Sequence, residues 1–277
     1  MDLSALNEPD TLPALISDKL SGTAIDYREK YQIITASKKT AIRHHAAGVL
    51  LLLSYGKTTA GGAPEFFFQL IKRSQSVSQA GDISCPGGML HHLADGILSR
   101  LLTAVWDKEM FRQNGDEETG SLIRLFLTNA LRESWEEIGL KPWNVRFLGA
   151  LPCYSLLLFS RTIFPLVAVT KKPFRFSLSS EVESVVEIPL RLFFEEANYA
   201  NLEIDAPQNS GKEVYRKNFP CLVVQDAAGS KIILWGATFF IITNFLSLIF
   251  GDSLPETSSA RTIKKSLNID YLFGKHK

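Results

Sequence analysis

The chain has 277 residues, 45% of them hydrophobic and 21% charged, the composition of an ordinary globular protein with ample chain for a core. Thirty basic residues against twenty-nine acidic ones leave a formal net charge of +1, which excludes a nucleic-acid binder that works by bulk charge. Cys85, Cys153 and Cys221 are odd in number and far apart, so they read neither as a disulfide framework nor as a zinc motif, and a reducing cytoplasm is the expected setting.

Residues 1–40 are mixed polar and apolar and are expected to form a helix or two and a lead-in loop. They show no basic stretch followed by an apolar run, so no signal peptide is expected. His45 to Tyr55 and Phe66 to Arg73 are continuous apolar runs of strand length, predicting two buried strands with Gly61-Gly62-Ala63-Pro64 as the loop between them. Gly81 to Gly88 reads as a short strand that ends in the turn Pro86-Gly87-Gly88, where backbone can approach a ligand closely. His91 and His92 follow, placed to touch metal or phosphate but lacking a third ligand at a readable spacing. Ile97, Leu98, Leu101, Leu102, Val105 and Trp106 fall at helical spacing and predict a packed helix. Gln113-Asn114-Gly115-Asp116-Glu117-Glu118 reads as a polar turn, with Ser121 as a candidate N-cap for the next helix.

That next helix carries the chemistry. At roughly 100° per residue, Glu133 and Glu137 lie nearly above one another with Glu136 beside them, while Leu127, Ala130, Leu131, Trp135 and Ile138 spread over the other, core-facing side. Three like charges this close repel unless offset; Arg132 is the one cation in the cluster, and a hard divalent cation would complete the balance. Runs of this kind are also common on solvated helix surfaces. Gly139 is the expected C-terminal stop.

Beyond it, Val145–Cys153, Thr162–Thr170 and Glu181–Ile188 read as strands, Leu190–Glu196 as a short amphipathic turn, Tyr215–Val224 with Lys231–Trp235 as a hairpin, and Thr238–Phe250 as the last long helix. The tail from Pro255 is polar and expected to be partly mobile. The twenty residues Ile232 to Gly251 carry no formal charge, long enough for a bilayer if helical, but the strand ending at Trp235 and the break at Gly236 favour a strand plus a buried helix.

The Pro-Gly-Gly turn followed by Arg132-Glu133-Ser134-Trp135-Glu136-Glu137-Ile138-Gly139-Leu140 resembles the box of the Nudix hydrolases: Gly, five residues, Glu, seven residues, then Arg-Glu-U-x-Glu-Glu-x-Gly-U with U aliphatic. Further stretches in the right order resemble the coenzyme A pyrophosphatase-like branch: Gln69 to Ser74 before Cys85 to Gly88, Phe147 to Pro152, Glu181 to Leu190, and Trp235 to Thr238. In an uninterrupted box the glycine would stand at position 118; Gly88 lies thirty residues earlier, so an insertion occupies about 89–120. The Glu between glycine and Arg132 is missing. Counted from Gly88 it falls on Ala94, counted back from Arg132 on Arg124; Asp95 or Glu118 is left to stand in. The Arg, His and Gln that follow the Arg-Ser pair in the coenzyme A motif are replaced by Ser78, Gln79 and Asp82.

The resemblance implies an α/β class fold, a Nudix α/β/α sandwich with a mixed central sheet and an extra helical insertion, spanning residues 41–252 between a lead-in and a tail at 253–277. It implies hydrolysis of a phosphoanhydride with Mg²⁺ or Mn²⁺ held by Glu133, Glu136 and Glu137 and by the backbone carbonyl of Gly87. Arg132 would orient a carboxylate. Arg73, Ser74, Gly88 and Glu181 are candidates for substrate contact, and Glu133 or a loop carboxylate, Glu181 or Glu183, for the general base. The implied partner is a small nucleotide-diphosphate substrate, first coenzyme A or an acyl-CoA, otherwise NADH, ADP-ribose or a dinucleoside polyphosphate. Neither nucleic acid nor a membrane span is expected, and a homodimer is the candidate assembly. A non-catalytic Nudix domain for ligand sensing or protein association is the reading from a different class.

Overall fold

The structure, a computed structural model, describes residues 4–37, 43–102, 111, 113, 116–156, 160–207, 214–226, 228–251, 253–256, 261–267 and 271. In chain order the helices are α1 (Thr11–Ser21), α2 (Tyr27–Ser37), α3 (His92–Leu102), α4 (Glu117–Ile138) and α5 (Gly236–Phe250). The strands are β1 (His45–Thr58), β2 (Gly61–Arg73), β3 (Ile83–Ser84), β4 (Gly87–Met89), β5 (Val145–Ala150), β6 (Tyr154–Leu156), β7 (Arg161–Thr170), β8 (Val182–Pro189), β9 (Tyr199–Pro207), β10 (Val214–Gln225), β11 (Lys231–Trp235) and β12 (Thr262–Ser266). Two compact units result, one of residues 7–54 and 85–177, the other of 1–6, 55–84 and 178–277.

The first unit is a mixed sheet under helices. β1 and β7 run parallel from His45 opposite Arg161 to Leu53 opposite Val169, while β4 lies antiparallel on β1 and both β5 and β6 lie antiparallel on β7. Leu50, Leu51, Leu52 and Leu53 are all fully buried, so both faces of β1 are covered, as an unbroken apolar run requires. Helices α2 and α4 meet on β7 through aromatic rings. Phe126 stacks on Phe164 with centroids 3.7 Å apart, Tyr27 meets Phe164 edge-on at 4.9 Å, and the Tyr27 hydroxyl donates to the Pro165 carbonyl at 2.7 Å. These contacts fix which face of α4 turns inward.

The second unit holds β3-β2-β8, all antiparallel, and a four-stranded sheet in the order β11-β10-β9-β12. Its helix α5 buries Phe239 and Phe245, the latter edge-on to Phe68 of β2. Among the described residues no helix is long and apolar enough to cross a membrane. The uncharged stretch is divided as its glycine predicts, with β11 ending at Trp235 and α5 starting at Gly236.

Several expectations are corrected. Gly61 to Pro64 belong to β2, leaving only Thr59 and Ala60 between β1 and β2. Gly87 and Gly88 lie in a strand and not in a turn, because β1 pairs with them: Val49 opposes Gly87 and Gly48 opposes Gly88. Tyr154–Leu156, read from sequence as part of the connection Tyr154 to Arg161, is a strand on β7, and the tail contributes β12, parallel to β9. Helix α4 starts at Glu117, with Asp116 as its cap accepting from the backbone N–H groups of Glu118 and Thr119; Ser121 sits inside the helix and donates to the Glu117 carbonyl. Helix α3 is not packed by its apolar residues: Ile97, Leu98 and Leu101 are exposed. The helix is instead held through the polar Asp95. Val105, Trp106, Asn114 and Gly115 lie outside the described residues, as does the side chain of Leu102. Trp135, expected on the core side, is 51% exposed, because the buried arc of α4 ends at Ser134, Glu137 and Ile138.

Candidate active site

The acidic end of α4 is locked by its C-terminal stop. Gly139 takes φ +76°, and its N–H bonds the Ser134 and Trp135 carbonyls. One turn upstream the buried side of the helix carries Asn129 between Thr128 and Ala130, where an apolar residue is expected. Its side chain joins three elements. Oδ1 accepts from Gly48 N of β1 at 2.8 Å, and Nδ2 donates to the Met89 carbonyl of β4 at 3.1 Å and to Asp95 Oδ2 of α3 at 3.0 Å. That close approach needs glycine at position 48, since a Cβ there would stand 2.7 Å from Asn129 Oδ1 and from the Phe126 carbonyl oxygen.

Asp95 is fully buried and accepts four hydrogen bonds. They come from His91 N at 2.7 Å, Asn129 Nδ2, Arg132 Nε at 2.7 Å and Arg132 Nη2 at 3.3 Å. A buried carboxylate is tolerated only with such pairing. Arg132 spends its remaining donors on the metal-ligand candidates, Nη2 to Glu133 at 2.7 Å and Nη1 to Glu136 at 3.0 Å. One guanidinium fork thus holds three carboxylates, and these interactions push its pKa further above an already high value. Of the two residues left open by the sequence, Asp95 is thus the one that meets Arg132, one residue beyond the spacing counted from Gly88. The other candidate, Glu118, pairs with Arg28 on the surface at 2.9 Å.

Glu137 is buried and accepts from Gly87 N at 2.9 Å. Gly87 has φ +140°, and a Cβ there would strike the Gly48 carbonyl oxygen and Val49 Cα. Gly88 packs on Glu133 so closely that a Cβ would lie 2.5 Å from its carboxyl carbon. Burial, together with the charges of Glu136 and Asp95, raises the Glu133 pKa above the ordinary carboxylate value, with Arg132 opposing the shift.

Asp95, Glu133, Glu136 and Glu137 thus gather around Arg132 and the Gly87-Gly88 backbone. The donor set suits a hard divalent cation: all oxygen, and three negative charges in excess of the one guanidinium. Among the described residues, however, no three His, Cys, Asp or Glu side chains converge on one point, Glu133 and Glu136 being turned onto Arg132 and Glu137 onto Gly87. His91 and His92 are exposed, and His92 Nδ1 lies 3.5 Å from the Tyr31 hydroxyl.

Arg73, Ser74 and Glu181 form a separate group in the second unit. Arg73 Nε donates to the Ser78 carbonyl at 2.9 Å, and Ser74 N donates to the Glu181 carbonyl at 2.9 Å, with the Glu181 side chain exposed. Glu183 pairs with Lys72 at 2.6 Å. Asp82 is committed to Trp235 Nε1, Lys265 Nζ and the Tyr271 hydroxyl. Asn129 was not singled out from sequence; the available signal was an amide in the buried stripe of a helix.

No protein-family profile matches this chain. Its sequence is 30% identical over 162 residues to the peroxisomal coenzyme A diphosphatase ndx-8 of Caenorhabditis elegans, a match covering 57% of this chain and 55% of that protein. The chain thus spans little more than half the length of this relative. Among solved structures, the Nudix hydrolase RenU from M. smegmatis overlaps 53% of this chain and 71% of its own, at 15% identity and a TM-score of 0.32. The C. elegans Ap4A hydrolase overlaps 53% and 81%, at 16% identity and 0.32, and a Nudix hydrolase from Alicyclobacillus acidocaldarius 56% and 83%, at 13% identity and 0.38. In sequence, the chain resembles a coenzyme A diphosphatase over more than half of its length.

Proposed function

We propose, from this resemblance and the carboxylate cluster, that the chain is a Nudix hydrolase of the coenzyme A pyrophosphatase-like branch. It cleaves the diphosphate of a nucleoside diphosphate linked to another moiety, with coenzyme A or an acyl-CoA as first substrate, giving 3′,5′-ADP and the (acyl-)4′-phosphopantetheine. The observation that carries the reading is the fork of Arg132 on Asp95, Glu133 and Glu136 beside the Gly87-Gly88 backbone. A carboxylate on Arg132 supports the enzyme reading over a non-catalytic domain, for which the absent Glu was a motive.

Glu133, Glu136, Glu137 and the Gly87 carbonyl would hold Mg²⁺ or Mn²⁺, which when bound screens the diphosphate and lowers the pKa of the attacking water. Arg132 keeps Glu133 and Glu136 in place and touches no substrate. Glu133, packed on the Gly88 backbone, is the base that takes the water proton while the P–O bond between the attacked phosphorus and the bridging oxygen breaks. The replacement of the coenzyme A motif by Ser78, Gln79 and Asp82 favours a second reading, the same chemistry on NADH, ADP-ribose or a dinucleoside polyphosphate.

Purified protein is incubated with each of these compounds and Mg²⁺ or Mn²⁺, and products are separated by chromatography. Release of 3′,5′-ADP from coenzyme A above all others is expected. Preferred cleavage of another compound selects the second reading, and metal-independent or absent turnover by folded protein overturns both.

A further inference from the structure

A second surface of the first unit draws on residues that the candidate site does not use. From Ile138 to Ser180 the sequence has no Asp or Glu but six basic residues, in a chain whose net charge is +1. The fold gathers most of them. Val145 pairs with Thr170, Lys171 N donates to the Asn144 carbonyl at 2.8 Å, and Asn144 Nδ2 donates to the Lys172 carbonyl at 2.9 Å. Ser177 N donates to the Ile138 carbonyl at 3.1 Å, where Gly139 leaves room for it. The loop 171–177 is thereby pinned beside the end of α4 and the short turn Pro142–Asn144.

Lys141, Arg146, Lys171, Lys172 and Arg175 are exposed there, and none is in an ion pair among the described residues. With them stand Trp135 at 51% exposure, Trp143 at 65% and Phe176 at 37%. The two indoles meet edge-on at 6.2 Å, and Lys141 Nζ lies 5.5 Å over the Trp143 ring. Three partly exposed rings grouped beside cations without an ion-pair partner make a surface suited to a partner that is both apolar and anionic.

We propose that this surface docks on an anionic lipid bilayer, with Trp135, Trp143 and Phe176 at headgroup level and the five cations on lipid phosphates or carboxylates. Indoles favour that depth, where one end is apolar and the other wet, and unpaired Lys and Arg supply the attraction. The charge complementarity decides between occupants. A second copy meeting this face about a two-fold axis would set the five cations against themselves. A nucleic acid that binds by bulk charge is disfavoured by the near-neutral chain. Binding is to the membrane surface and requires no spanning helix.

Full-length protein is floated with phosphatidylcholine vesicles and with phosphatidylcholine–phosphatidylserine vesicles. It should float only with the second, less so as salt rises, and its tryptophan emission should shift to the blue. The triple variant Lys171→Gln, Lys172→Gln, Arg175→Gln should bind roughly a hundredfold more weakly, about fivefold per charge. Lys141→Gln with Arg146→Gln tests the same face from another backbone segment. The Trp135→Phe, Trp143→Phe variant should lose the emission shift, with Tm unchanged in all. Four results overturn the proposal: no flotation with the anionic vesicles, flotation that neither charge variant weakens, binding to an oligonucleotide without binding to vesicles, or self-association abolished by the charge variants.

Discussion

Replacing Asp95 tests the centre of the site, because its four accepted hydrogen bonds all come from donors. Asp95→Asn keeps the shape but points an amide group at His91 N, Asn129 Nδ2 or the Arg132 fork, so at least one donor loses its partner in a fully buried place. Breaking a buried ion pair costs about 3–5 kcal/mol. Arg132 is 18% exposed and retains Glu133 and Glu136, so the loss is expected at the lower end, about 3 kcal/mol. With a urea slope of about 2 kcal/mol/M, the midpoint of the transition should fall by about 1.5 M. Turnover should fall about 10- to 100-fold through disordering of Glu133 and Glu136. The decisive measurement is the double-mutant cycle with Arg132→Gln. If Asp95 acts through Arg132 the two changes couple by about 2 kcal/mol; additivity within about 0.5 kcal/mol would refute the reasoning. Glu118→Gln is the control, and its exposed pair with Arg28 should cost less than about 1 kcal/mol.

Glu136→Gln and Glu137→Gln should each lower kcat by roughly a hundredfold or more, about 2.7 kcal/mol of barrier, while circular dichroism and Tm stay close to the parent; retained turnover removes these residues from the metal site. Gly88→Ala forces a Cβ against the Glu133 carboxyl and should abolish turnover in a folded protein, whereas Gly87→Ala adds a clash with the β1 backbone to a strain of about 1–3 kcal/mol and should lower the urea midpoint as well. The Glu133 pKa is raised in the fold mainly by burial, so its protonated form is the one folding favours. Its contribution to stability is full below the ordinary value of 4.5 and is lost as pH rises through the raised one. Glu133→Gln should flatten the fall of Tm with pH and abolish turnover; an unchanged Tm profile would show that burial of this carboxyl costs nothing. Chelation of divalent cations should stop turnover, and re-addition of Mg²⁺ or Mn²⁺ at about a hundred times Kd should restore it and stabilise the fold by about 2.7 kcal/mol.

Long periodic or continuous patterns were readable because one residue type repeated along an element has one burial solution. The apolar runs became β1, β2 and β7, the arc of carboxylates lay on α4 with Gly139 ending it, and the break at Gly236 separated β11 from α5. Short polar stretches were not readable in this way. β12 went unpredicted, since its partner β9 lies far along the chain and supplies the hydrogen bonds that local propensity does not; β9 pairs with the very next strand, but its Asn201, Glu203, Asp205 and Pro207 are residue types that strands disfavour. Gly87 and Gly88 looked like a turn because glycine is permissive in isolation; pairing with β1 extends them.

The sequence by itself determined the chemistry available: a helix end with three carboxylates and one arginine, a glycine pair, a near-neutral chain, and the family they resemble. Tertiary structure alone decided which distant residue completes that helix end. Spacing left Asp95 and Glu118 equal, but burial separates them. Asp95 is folded to within hydrogen-bond distance of Arg132 and Asn129 in a place without water to replace them, whereas Glu118 stays on the surface, where solvent screens whatever it pairs with.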